Sequence, residues 1–329
     1  MTSLHAGAPA PTPAQSGRGP DRDRGTKPEQ GAPGSASTIT LTGWSLKALL
    51  TLIITLFVVF FAVPIVWLLV ATTKTARGLA TDPPFEIGSL DQLGANWNQL
   101  LGFQDGAITT WMANSTAYTV GAVLLALLAS IPAGYALALT EFRLRRVLLV
   151  LTLVIMLMPN TALVLPIFLE LNLLGLIGTP LSVILPMSFF PFGVYLTYIY
   201  FSTSIPQDLL AAARLDGCGE LEVFMRIALP LAAPVVALVA FFSFVQNWNN
   251  FFLPFVMLPS SDAYPVQVGL TSLLASTPAF NPSSAGGADS VQLPALALAT
   301  VVSVLPVLVV FLFSQRFLVS GMTAGGTKE

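Results

Sequence analysis

The stretch KALLTLIITLFVVFFAVPIVWLLVATTK, Lys47 to Lys74, places 26 uncharged and mostly apolar residues between two lysines. A bilayer's hydrocarbon core, about 30 Å thick, is crossed by about 20 helical residues. In that medium each backbone N–H and C=O must find its partner inside the segment, which leaves the α-helix as the form for a single span. A membrane-spanning helix near 46–73 is therefore expected, and the other charge-free runs follow from it.

The uncharged run 106–140 supplies a second span near 112–139, and 147–169 a third containing Pro159 and Pro166. The run 171–207 is too long for one helix unless Leu174-Gly175-Leu176-Ile177-Gly178-Thr179-Pro180 is a turn, which leaves a fourth span near 181–203. The runs 227–261 and 290–315 give a fifth span near 228–257 and a sixth near 291–315. The fold class expected is an all-α polytopic membrane protein with six transmembrane helices, both termini on one side.

Composition agrees. Of 329 residues, 54% are hydrophobic and 9% charged, against about a quarter charged in soluble domains, and mean hydropathy is +0.78. Soluble enzymes and nucleic-acid binders are excluded on that ground, and a net charge of −2 suggests no polyanionic partner. One cysteine, Cys218, cannot form an internal disulfide or a thiolate metal site. The single histidine, His5, lies in a Pro/Gly-rich tail. Residues 1–42 hold little large apolar surface and read as a disordered cytoplasmic tail. Residues 43–111 read as the first span with its external loop, 112–316 as the core of the remaining spans, and 317–329 as a second cytoplasmic tail.

Cytoplasmic segments carry the excess of Lys and Arg. With the N-terminus inside, twelve basic residues fall on inner segments and only Lys74 and Arg77 on outer ones. That orientation puts both termini in the cytoplasm, and loops 74–111 and 258–290 outside, where they are long enough to meet an external partner. The span interiors hold no ionisable group. An ion-coupled secondary carrier would need one. No Gly-rich phosphate loop with its Lys is present, so any ATP driving transport is hydrolysed by another chain.

The inner segment 204–230 reads SIPQDLLAAARLDGCGELEVFMRIALP. Pro206 and Asp208 suit a helix's first turn, Arg214 its last, and Gly217 the residue just beyond its end. A second short helix starts near Glu220 with Leu221, Phe224 and Met225 on an apolar side, and runs to Pro230. Two such helices make either a compact knob for a partner's groove or an amphipathic loop on lipid headgroups.

The spacing of Ala212, Ala213, Gly217, Ile227, Leu229 and Pro230 resembles the "EAA" signature of permease subunits of ABC importers. Asp216 stands beside the Gly, and Ala211 replaces the motif's Glu. Asn114-Ser115, Tyr135-Ala136-Leu137-Ala138, Met158-Pro159 and Trp248-Asn249 fall in the family's order. The ending Gly321-Met322-Thr323-Ala324-Gly325-Gly326-Thr327-Lys328 is similar to that of maltose-type G subunits of carbohydrate importers. The resemblance implies a type I (MetI-like) permease fold, with 112–316 as the permease core, and an assembly of a homologous second permease subunit, two ATPase subunits and an external solute-binding protein. ATP and Mg would sit on the ATPase, with no cofactor on this chain. The coupling surface would comprise Ala211, Ala212, Ala213, Asp216, Gly217, Ile227, Leu229 and Pro230, with Leu209 and Leu210 packing into the ATPase. A related permease for glycerol phosphate or polyamine is the alternative.

Sugars present hydroxyls and apolar ring faces, which amides and aromatics match. Gln246, Asn247, Trp248, Asn249 and Asn250 are consecutive in the expected fifth span and are costly in hydrocarbon unless they face a cavity or a neighbouring helix. They are the candidate lining of a sugar path, with interhelical bonding as the other reading.

Overall fold

The computed structural model describes residues 43–287 and 289–323. The tail 1–42 and the ending from Ala324 lie outside them. The chain divides into two compact units, residues 1–55 and residues 56–329. In the first, the described residues are the N-terminal part of α1 (Gly43–Ala71). The second contains everything discussed below.

Among the described residues, four helical segments are long and apolar enough to cross a membrane: 46–71, 107–139, 181–203 and 293–316. Two bent pairs bring the number to six. One is α5 (Arg145–Met156) with α6 (Asn160–Leu173), bent by 106°; in the other the chain turns by 76° as Glu220–Leu231 passes into Ala233–Trp248. The third span is therefore not one continuous helix. Pro159 has no N–H to continue α5, and it biases Met158 away from the helical region.

The core is built on α4 (Ala107–Leu139), which begins five residues before the expected span. It packs against α7 (Leu181–Ser188) and α8 (Pro191–Thr203). Gly134 lets α4 and α8 approach closely, because a Cβ there would lie 2.5 Å from Thr197 Cβ. Small residues let membrane helices pack this tightly. By contrast, Leu56, Phe57 and Phe60 of α1 are exposed, an apolar surface suited to lipid.

The described residues of segments 74–111 and 258–290 share one end of the bundle. The former holds α2 (Ala76–Thr81) and α3 (Leu90–Gly102), the latter α14 (Val266–Ala275). Trp111, Asn114, Ser115 and Tyr118 recur at helical spacing on α4 and grip the backbone of 261–266. Trp111 Nε1 donates to Ser261 O at 2.9 Å, Asn114 Nδ2 to Asp262 O at 2.7 Å, and Tyr118 Oη to Ala263 O at 3.0 Å. Ser115 Oγ accepts from Val266 N at 2.7 Å. Lys74 is buried, with Nζ donating to Pro83 O at 2.6 Å, and Asn96 Nδ2 donates to Thr72 O and Lys74 O.

The last helix, α15 (Leu293–Thr323), runs past the sequence boundary at 316. Of the basic loop 141–146, Arg145 has a structural role: it caps the end of α4 by donating to Leu137 O at 2.6 Å and Ala138 O at 3.0 Å.

Candidate functional site: a packed knob and an open cavity

The segment 204–231 folds as a knob. α9 (Gln207–Leu215) carries Asp208 in its first turn and Arg214 in its last, as charge and dipole require. It ends with Cys218 N donating to Ala213 O and Gly217 N to Arg214 O, the hydrogen-bond pair of a Schellman end. Gly217 has φ +92°, a left-handed conformation open to glycine. α10 (Glu220–Val223) then begins where expected. It passes through a π turn, Phe224–Ala228, in which Leu229 N reaches back to Phe224 O. Pro230 explains the widening: its ring would collide with a carbonyl four residues earlier in a regular helix. A short turn, α11 (Leu229–Leu231), leads to the 76° elbow at Ala232.

Arg214 and Glu220 close the knob with a bond of 2.6 Å, and Tyr135 Oη of α4 donates to the other carboxylate oxygen at 3.0 Å. The Arg214 guanidinium holds the Glu220 carboxyl below its usual range; burial opposes it in part, and the Tyr135 hydroxyl adds a smaller lowering effect. Glu220 in turn raises Arg214. Beneath them Tyr135 packs edge-on to Phe201 at 5.4 Å and tilted against Phe224 at 4.9 Å.

Burial sorts the expected coupling residues. Leu210 and Ala213 face the chain's own core, so neither is available to a partner's groove; Val223 and Phe224 are buried with them. Ile227 and Leu229 are half-buried against the same core. Ala211, Ala212, Asp216, Gly217 and Pro230 are exposed. Of the expected apolar side of the second helix, Phe224 points inward while Leu221 and Met225 point outward, exposed like Leu209 and Leu215.

The amide cluster divides in the same way. The fifth span does not run to 257: α12 (Ala233–Trp248) ends at the cluster and α13 (Phe252–Met257) follows a break. Asn side chains compete with the backbone. Asn249 Nδ2 bonds Val245 O at 2.9 Å, and Asn250 Oδ1 accepts from Leu253 N at 3.4 Å, capping α13. Trp248 turns into the core and donates to Ser303 O at 2.9 Å, so its role is interhelical. Gln246, Asn247 and Asn250 line a cavity of about 280 Å³ with Asn160 and Thr161 of α6; Trp248 and Asn249 do not. Asn160 and Thr161 escaped the sequence reading because they lie more than eighty residues away and only the α5/α6 break turns them inward.

An all-helical chain with apolar spans, broken helices and a protruding helical loop defines a multi-pass membrane transport component. Residues 127–324 match the model described as "Binding-protein-dependent transport system inner membrane component", and the chain belongs to that family. Membership implies partners of three general kinds: a second permease, an ATPase and a solute-binding protein.

Among its relatives is the arabinooligosaccharides transport system permease protein AraQ of Halalkalibacterium halodurans. It is 35% identical, over 68% of this chain and 75% of that protein. AraQ of Bacillus subtilis is 32% identical, over 85% of this chain and 95% of its own length. The fold is similar to a chain of a bacterial ABC transporter that imports the acidic polysaccharide alginate, with a TM-score of 0.72. That chain is 23% identical, and the similarity covers 87% of this chain and 99% of that one.

Proposed function

We propose that the chain is one half of the membrane path of an ATP-driven, binding-protein-dependent carbohydrate importer. It would sit beside a homologous subunit and couple to a separate ATPase through loop 204–230. The observation that carries this reading is the knob itself: a short helix pair closed by Arg214–Glu220 and anchored to α4 by Tyr135. Such a piece transmits displacement to the spans instead of absorbing it. The relatives named for arabinooligosaccharide transport support a carbohydrate substrate.

In this reading Ala211, Ala212, Asp216 and Gly217, with the exposed Leu209, Leu215 and Leu221, meet the ATPase. Closure of the ATPase dimer pushes the knob, and the elbow at Ala232 passes the motion to α12. Both termini lie in the cytoplasm, and segments 74–111 and 258–290 face the binding protein. Reporter fusions at Arg146 and Ser284 should report opposite sides of the membrane. ATP hydrolysis and saccharide uptake should appear only when the chain is reconstituted with its permease partner, ATPase and binding protein. ATPase activity from the purified chain alone would refute the proposal.

A further inference from the structure

We propose that the cavity among the three chain breaks is a saccharide subsite belonging to this chain, selective for uncharged sugars. This rests on the importer reading above. Its walls are the α5/α6 break, the α7/α8 break at Phe189–Phe190, and the α12/α13 break. Each break leaves polar groups that a continuous helix would satisfy. The N-cap position of α6 is Pro159, which offers no side-chain cap. The first N–H groups of that helix have no intrahelical acceptor, and Asn160 and Thr161, which carry two of them, line the cavity.

Asn247 supplies an acceptor. It is 4% exposed and uses only Nδ2, donating to Ser243 Oγ at 3.3 Å, so Oδ1 has no protein partner among the described residues. Gln246 adds an exposed amide, and half-buried Asn250, whose Oδ1 accepts from Leu253 N, adds its Nδ2. An exposed amide on a spanning helix is costly against lipid, so this face meets water, substrate or a partner subunit. Phe189, Phe192 and Phe252 present partly exposed rings around the cavity. These are the two things a pyranose or furanose needs, amides for its hydroxyls and flat apolar faces for its C–H surface.

No Asp, Glu, Lys, Arg or His is among the residues that line the cavity. A phosphate, uronate or ammonium entering it would lose hydration with no counter-charge. A neutral sugar loses only hydroxyl hydration, which the amides replace. The lining therefore selects against glycerol phosphate, polyamines and acidic saccharides alike.

The test uses the complete transporter in proteoliposomes, with arabinobiose and maltotriose as neutral probes and an alginate disaccharide and glycerol 3-phosphate as anionic ones. Neutral sugar should be taken up and the anions should not. Gln246→Ala and Asn250→Ala should each raise the uptake KM three- to tenfold. Asn247→Asp, which sets a charge in the wall at constant shape, should raise it more than tenfold for neutral sugar. Asn249→Ala, whose side chain bonds its own helix outside the cavity, should leave KM within twofold. Neutral uptake with an unchanged KM in both Gln246→Ala and Asn250→Ala would overturn the subsite while leaving the importer reading intact. Preferred uptake of either anion would overturn the selectivity. Failure of the intact assembly to move any saccharide would overturn the importer reading itself.

Discussion

The two bent spans among the described residues are built in opposite ways. At the 76° elbow, Ala228 and Ala232 are fully buried and the arms close on Val223, Val235, Tyr135 and Phe201. At the 106° break, Leu157 and Met158 are exposed and α5 buries no residue at all. One bend is filled, the other open. A filled bend resists changes of angle because any movement opens voids or forces overlaps in a close-packed interior. An open bend leaves space for a ligand and permits rearrangement. The difference matches an importer's two needs, a stiff link to the motor and an adaptable wall on the path.

The largest expected effect comes from breaking the filled bend. Ala232→Phe places a ring where no space exists, and overpacking of this kind costs about 1–3 kcal/mol. A lowered melting temperature in detergent and loss of uptake are expected. The same enlargement at the open bend, Leu157→Phe, should change stability by less than about 0.5 kcal/mol. Equal losses at the two positions would erase the contrast.

Next in size is the turn inside the knob. A Cβ at Gly217 meets nothing within 4 Å, so Gly217→Val acts only through backbone strain, about 1 kcal/mol or more. It should leave insertion of the spans intact while separating ATP hydrolysis from uptake. Normal coupling in this variant would remove the knob from the mechanism. Ala211→Glu, at an exposed site of the same surface, should retain uptake at matched protein levels.

The smallest effect concerns the knob's anchor. Because Glu220 titrates below its ordinary range in the folded chain, its contribution is present above a carboxylate's usual pKa of about 4.3 and is lost as pH falls through the folded value. Melting temperature should be flat between neutral pH and pH 5 and fall below about pH 4, where the carboxylate takes up its proton. The pair is largely solvent-exposed, so Tyr135→Phe should cost no more than about 1 kcal/mol and shrink that acid loss. An acid loss of unchanged size in Tyr135→Phe would show that the hydroxyl does not hold the knob.

Legibility differed between the two bends as well. The elbow's chemistry is local: Asp208, Arg214, Gly217 and Glu220 lie within thirteen residues, and charge placement and the turn glycine are readable in order. What spacing could not show was that Tyr135, in a motif noted only for its place in the family's order, reaches Glu220 across 85 positions. Nor could it show that Phe224 points inward while Leu221 and Met225 point outward, because the side of so short a helix that is covered depends on what packs against it. At the cavity, Gln246 to Asn250 read as one cluster. The break after Trp248 sends Trp248 to Ser303 and Asn249 back to Val245, leaving Gln246, Asn247 and Asn250 on the cavity.

By itself the sequence determined the medium and the class. Charge-free runs of twenty or more residues permit only helices in a bilayer, and basic residues crowd the loops assigned to one side. Both are properties of composition along the chain and need no contacts. Tertiary structure decided where the helices break and which side chains each break exposes. A proline or asparagine removes or diverts backbone hydrogen bonds, but the angle that follows depends on what fills the space. Ala228 and Ala232 let α4 and α8 close on one bend, whereas Leu157 at the other stands exposed.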